Sequence, residues 1–150
     1  MERQPARRYI LSVLGSRPDG RLIEEAFRHH GDDVDLLTLY SGETALSHLR
    51  NPGNRLPILI LLAARFPALS GIEILCAIKA GKRLRGIPVL VLAAYLPPHE
   101  VEEFFAEGAS SVIELPGSLE ELEKTVLLLK DYWLGIAGLP ERVVGASNGG

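Results

Sequence analysis

Pro57 to Gly71 reads PILILLAARFPALSG, and the order of its parts decides the fold. Ile58 to Ala64 is apolar without a break, which predicts a central parallel strand covered on both faces. Pro67 then interrupts regular structure. Ser70 and Glu73 predict a capping box, the serine oxygen taking an orphan helix amide while the glutamate returns to the serine amide. A helix to about Ala80 follows.

The same unit repeats on either side. Arg8 to Leu14 is a short apolar run, punctuated by Gly15 to Gly20 before the helical pattern Leu22, Ile23, Ala26 and Phe27. Val34 to Tyr40 predicts a second strand, and Gly42 to Arg50 a short helix with Ala45, Leu46 and Leu49 inward, ended by Asn51 to Asn54. Pro88 to Ala94 is another apolar strand, and Pro97 and Pro98 suit the first turn of a helix ending near Gly108. Val112 to Leu115 is a fifth strand. Ser118 and Glu121 predict a second capping box for a helix reaching about Ile136. Strands alternating with helices in this way specify an α/β three-layer fold with an open parallel sheet. Right-handed crossovers then favour the flavodoxin-like strand order 2-1-3-4-5.

A chain of 150 residues buries roughly 70% of its unfolded surface, enough for one core. We expect one domain over 1–140, including a C-terminal arm, and a frayed small-residue tail over 141–150. The net charge of −3 gives no basic footprint for nucleic acid. No apolar run approaches the ~18 residues of a membrane span, and MERQPARRY lacks a leader's apolar stretch, so the expected location is the cytoplasm. Cys76 stands alone within a helical pattern and is expected to be a small core residue.

In sheets of this kind, ligands and chemistry gather at the carboxyl ends of the strands. The order, the spacing, and Pro67, Gly71, Pro88, Gly108, Ala109 and Pro116 together resemble response-regulator receiver domains (CheY-like) over Tyr9 to Pro140. The resemblance implies an acidic pair after strand one that holds magnesium and a phosphate-accepting aspartate ending strand three. It also implies a threonine or serine ending strand four and a lysine ending strand five. The chemistry needs all of them, as oxygen ligands for a hard cation, a carboxylate nucleophile, a hydroxyl that follows the phosphoryl group, and a neutralising charge. Here the acidic pair falls on Leu14 and Gly15, or on Gly15 and Ser16 with a shorter loop. The aspartate position is Ala63, the hydroxyl position Ala93 and the lysine position Leu115. The aromatic switch position is Val112. Joint loss of all these groups points to a degenerate receiver with no phosphotransfer, no metal and no cofactor. The run Asp131 to Pro140, DYWLGIAGLP, is similar to the C-terminal arm of single-domain response regulators that partner phytochromes.

Other residues carry less. Gly15 to Gly20 has the glycine spacing of a phosphate loop, but Arg21 and Leu22 stand where that loop needs lysine and a hydroxyl. Arg17 and Arg65 are candidate anion contacts beside the vacated pocket. His29, His30, His48 and His99 have no metal-ligand spacing and are read as surface or helix-end residues. In the last helix, Leu119, Leu122, Val126, Leu129, Trp133 and Ile136 form an inward seam. Leu127, Leu128, Tyr132 and Leu134 remain outside it. Together with Trp133 and with Phe104 or Phe105 of the preceding helix, they predict a second buried surface, a homodimer interface. The expectation is a phosphorylation-independent interaction module and not an enzyme. The rivals are a regulator docking on a phytochrome-type histidine kinase and a flavodoxin-like small-molecule-binding protein or enzyme.

Overall fold

Branched apolar runs that can be covered on both faces become strands, and each amphipathic run that follows becomes a covering helix. The computed structural model describes residues 8–29 and 34–136. The elements are β1 (Tyr9–Val13), α1 (Arg17–His29), β2 (Asp35–Leu39), α2 (Gly42–Arg50), β3 (Leu59–Ala63), α3 (Gly71–Ala80), β4 (Val89–Ala93), α4 (Pro98–Ala106), β5 (Ser111–Glu114) and α5 (Leu119–Lys130), followed by a π-helical segment, Asp131–Ile136. All strand pairs are parallel, and the order is β2-β1-β3-β4-β5 as expected. The domain end at 140 and the tail over 141–150 lie outside the described residues, as does His30.

The period of two along each strand divides the core. Tyr9, Leu11, Ile60, Leu62 and Val91 pack beneath α2, α3 and α4. Ile10, Leu59, Leu61, Leu90 and Leu92 pack beneath α1 and α5. The capping box of α3 forms as read: Ser70 Oγ accepts the Glu73 amide at 3.3 Å, and Glu73 Oε1 accepts the Ser70 amide at 3.2 Å. At α5, Ser118 Oγ accepts the Glu121 amide at 3.3 Å. Two glycines are required by the backbone. A methyl on Gly71 would sit 2.5 Å from the Ala63 carbonyl oxygen, so only glycine lets α3 start against the end of β3. Gly108, at φ 109°, closes α4: its amide donates to Phe105 O, and the Ala109 amide donates to Phe104 O, a Schellman arrangement.

Several side chains lie elsewhere than the sequence suggested. The helical seam expected through Trp133 packs on the core, with Leu122 and Val126 buried and Leu129 and Trp133 partly so, and Lys130 and Leu134 join it as buried members. The wider π turn after Lys130 keeps a step of four, so Leu134, only 8% exposed, enters the core and Trp133 is left half-buried. Leu134 is therefore a core residue and not part of an outer surface. Lys130 is buried as well, its ammonium 5.3 Å from the Phe27 ring centre. Phe104 is core, and Phe105 is the outward member of that pair. Cys76 is half-buried on the outer side of α3; its thiol donates to Glu107 Oε2 at 3.3 Å, and burial, reinforced by that carboxylate, pushes its pKa up.

His48, read as a surface or helix-end residue, lies in the last turn of α2 but is buried in a polar network at the amino ends of the strands. The Tyr9 hydroxyl lies 2.9 Å from His48 Nε2 and donates to the Arg55 carbonyl. With that proton committed, the hydroxyl accepts from Nε2–H, and Nδ1 accepts from Asn54 Nδ2 at 3.2 Å. Arg83 adds bonds to the Leu49 and Asn54 carbonyls at 3.0 and 3.1 Å. The network ties the 51–57 loop under the sheet.

Burial pushes the Tyr9 phenol up to about 12, with Arg55 and Arg83 pulling it partly back. An unfolded tyrosine ionises near pH ~10. The raised value means Tyr9 contributes full stability below pH ~10, lost as pH climbs toward the folded value because only the unfolded chain ionises readily. Tyr9→Phe should cost about 1–3 kcal/mol at neutral pH, since it strips partners from His48 and Arg55. In urea denaturation, the stability advantage of the parent over this variant should shrink between about pH 10 and pH 12; an advantage that stays constant would contradict the role given to the phenol.

Candidate functional site

Parallel pairing sets the strand ends level. Val13 pairs with Leu62, Ala63 with Leu92, and Ala93 with Glu114. The ladder continues one residue further, where the Leu14 amide donates to Leu39 O at 3.0 Å and the Leu115 amide to Ala93 O at 2.7 Å. Leu14, Ala63, Ala93 and Leu115 are thereby brought together, and all four line one cleft of about 370 Å³. The sequence placed these residues at the carboxyl edge; the structure joins them into one site.

The other walls come from the covering helices. Leu22 and Ile23 of α1 and Leu122 of α5 supply apolar surface, and Asp19, Arg65 and Tyr95 bring polar groups. Leu14 is 2% exposed, whereas Ala63 and Ala93 are partly open to solvent, so the site is a cleft and not a sealed pocket. Gly15 stands behind the lining, where an added methyl would meet the Arg65 carbonyl oxygen at 3.0 Å. Ser16, the alternative for the acidic pair, receives the Asp19 amide on its hydroxyl at 3.4 Å and so serves the start of α1. Val112 packs half-buried against the core beneath α4.

The two candidate anion contacts separate. Arg17 turns away from the cleft, its guanidinium 4.7 Å from the Tyr40 ring centre. Arg65 lines the cleft, but it pairs with Glu100 of α4 at 2.9 Å. That pairing offsets part of its charge and draws the guanidinium toward α4. The pair also ties the loop after β3 to the first turn of α4.

These groups define what the site can do. A methyl at Ala63 has no lone pair with which to take a phosphoryl group, and Ala93 and Leu115 supply neither hydroxyl nor ammonium. A hard divalent cation takes about six oxygen ligands, commonly from several carboxylates. The cleft offers one side-chain carboxylate, Asp19, and among the described residues no group of three or more His, Cys, Asp or Glu side chains is placed to hold a metal. The residues present do not fit the magnesium site that the family resemblance implies. Asp19 and Tyr95 were missed in the sequence. Asp19 sat inside the glycine-spaced loop, read only for phosphate binding, and Tyr95 lies two residues beyond Ala93, the position weighed.

No family model matches the chain. A curated relative does: it is 36% identical over 129 residues to the "Probable methanogenesis regulatory protein FilR2" of Methanothrix harundinacea, covering 84% of this chain and 83% of that protein. It is 30% identical over 135 residues to response regulator Rcp1 of Synechocystis sp., covering 87% and 92%. The crystal structure of the Mn²⁺-bound form of Rcp1 superposes with a TM-score of 0.80 at 30% identity, over 89% of this chain and 99% of that one. The phosphorylated cyanobacterial phytochrome response regulator RcpA superposes with a TM-score of 0.81 at 29% identity, over 90% and 99%. Sheet order, strand-end geometry and these likenesses agree: the chain belongs to the response-regulator receiver family, with the CheY-like fold.

Proposed function

We propose that this chain is a receiver released from phosphorylation, acting as a protein-interaction module in two-component-type signalling. One observation carries the reading: the four strand-end positions that meet in the cleft are Leu14, Ala63, Ala93 and Leu115, and none supplies a nucleophile, a metal ligand or a charge. The module performs no catalysis, uses no cofactor, binds no nucleic acid and works in the cytoplasm; among the described residues no helix is long and apolar enough to cross a membrane.

Its own second copy is the partner the outer surface favours. Leu128 is 69% exposed, Tyr132 52%, Phe105 49% and Leu127 41%, and these lie on α4, α5 and the π turn. Tyr132 meets the half-buried Trp133 edge to face, with ring centres 5.2 Å apart. Leu134 and Phe104 drop out of this interface because both belong to the core. With Ala93 and Val112 at the hydroxyl and aromatic positions, there is no group through which a phosphoryl signal would loosen or tighten the pairing, so the dimer is constitutive. A second reading, docking on a phytochrome-type histidine kinase without phosphotransfer, draws on the likeness to RcpA, itself a cyanobacterial phytochrome response regulator. Cosedimentation with such a kinase separates it from self-association alone.

Incubation with acetyl phosphate and magnesium should leave the intact mass unchanged; gain of one phosphoryl group that hydroxylamine releases, as it does from an acyl phosphate, would refute the proposal. Restoring the carboxylate alone is not expected to restore the reaction. Ala63→Asp should remain unphosphorylated and lose about 1–2 kcal/mol, because its charge enters a half-buried apolar cleft already bordered by Asp19. A variant as stable as the parent, or one that takes phosphate, would contradict this.

The double variant Leu128→Glu, Tyr132→Glu should be a folded monomer, with unchanged circular dichroism and reduced mass by light scattering. Leu134→Ala should instead cost about 2–5 kcal/mol, as core leucines do. A parent that is monomeric at tens of micromolar would defeat the homodimer.

A further inference from the structure

The cleft at the strand ends is too large and too particular in its lining to be treated as an empty relic. We infer that it binds a small organic cation: an apolar body carrying an ammonium group. Its volume of about 370 Å³ falls within the range of about 300–1,000 Å³ usual for small-molecule sites. The floor is made of short side chains, Ala63 and Ala93, whose methyls leave room between the longer walls Leu14, Leu92, Leu115 and Leu122. An apolar body entering there removes both its own surface and that of the walls from water.

The polar groups select the charge of the ligand. Arg65, its side chain 63% exposed, is held toward Glu100 at 2.9 Å, which offsets part of its charge. Asp19 makes no ion pair and no side-chain hydrogen bond through its carboxylate among the described residues; its bond to Ser16 runs from the backbone amide. The cleft therefore presents, at its solvent-exposed rim, one carboxylate without a side-chain partner. Tyr95 borders the same space and is 64% exposed, an aromatic ring left largely uncovered at the mouth. A carboxylate and an open aromatic ring beside an apolar floor are the groups that hold an ammonium ion, through Coulomb attraction and cation–π contact. An anion would meet Asp19 and find Arg65 already occupied. Binding here uses only the lining residues and does not depend on self-association, so it stands or falls separately from the homodimer.

The test uses three probes that share one apolar body: 4-phenylbutylamine, 4-phenylbutanol and 4-phenylbutyrate. Each is titrated into the full ¹⁵N-labelled chain at low ionic strength, with amide shifts recorded. The amine should shift the amides of Ala63, Ala93, Tyr95 and Leu115, with the alcohol about threefold or more weaker and the carboxylate weaker still. Asp19→Asn should bring amine and alcohol to within about twofold, and Tyr95→Ala should weaken the amine about threefold, in keeping with ~0.7 kcal/mol for each exposed contact. Ala93→Leu should fill the floor and abolish binding of all three; Ala63→Val fills the same space should that variant fail to fold. No saturable shifts in the parent, shifts centred on another part of the surface, or equal affinity for amine and carboxylate would overturn the inference.

Discussion

The parallel backbone ladder is the constraint on which the rest of this molecule depends. Bonds such as Leu115 N–H to Ala93 O, at 2.7 Å, and Ala64 N–H to Leu92 O, at 2.9 Å, set the strand ends level whatever the side chains there are. Main-chain pairing needs only strand-forming residues, and Leu, Ile and Val supply most of those in β1, β3 and β4. The frame that gathers the strand ends can therefore stand intact while the chemical groups it would hold are replaced by methyl and isobutyl side chains. Geometry and chemistry are separable here because different atoms carry them.

The same separation explains which residues had to keep their identity. Gly71 cannot carry a side chain because the Ala63 and Ala64 carbonyls occupy the place a β-carbon would take, and Gly108 takes a left-handed turn that ends α4. Both serve the path of the chain. Ala63, Ala93 and Leu115 meet no such demand: each sits where the backbone is already satisfied and the side chain faces the cleft. The ion pair between Arg65 and Glu100 adds a tie between the loop after β3 and α4, across the mouth where a signal would have to travel.

Much of this was legible in the residues. Ile58 to Ala64 could only be a central strand, Ser70 and Glu73 fixed the start of α3, and counting from Pro67 and Gly71 brought Ala63 to the strand end. The misreadings share a cause: periodicity reports which residues share a face but not which partner covers it. The seam through Trp133 was drawn too narrow because a π turn after Lys130 delivers Leu134 to the core as well. His48 could be placed at a helix end but not inside the molecule, because its partners, Tyr9, Asn54 and the loop that carries Arg55, are brought to it by the fold. Asp19 and Tyr95 join the cleft from two different elements, α1 and the loop after β4, so spacing could not pair them.

A receiver frame without receiver chemistry is a claim about one small volume at the strand ends, and a paramagnetic ion probes that volume directly. Manganese titrated into the ¹⁵N-labelled chain broadens amides near any site that holds it, and the Rcp1 relative has been crystallised in a Mn²⁺-bound form. The account predicts no selective, saturable broadening of Leu14, Gly15, Ala63 and Ala93 at submillimolar manganese. Selective loss of those signals at such concentrations would mean that the cleft still assembles a divalent-metal site, and would contradict the account.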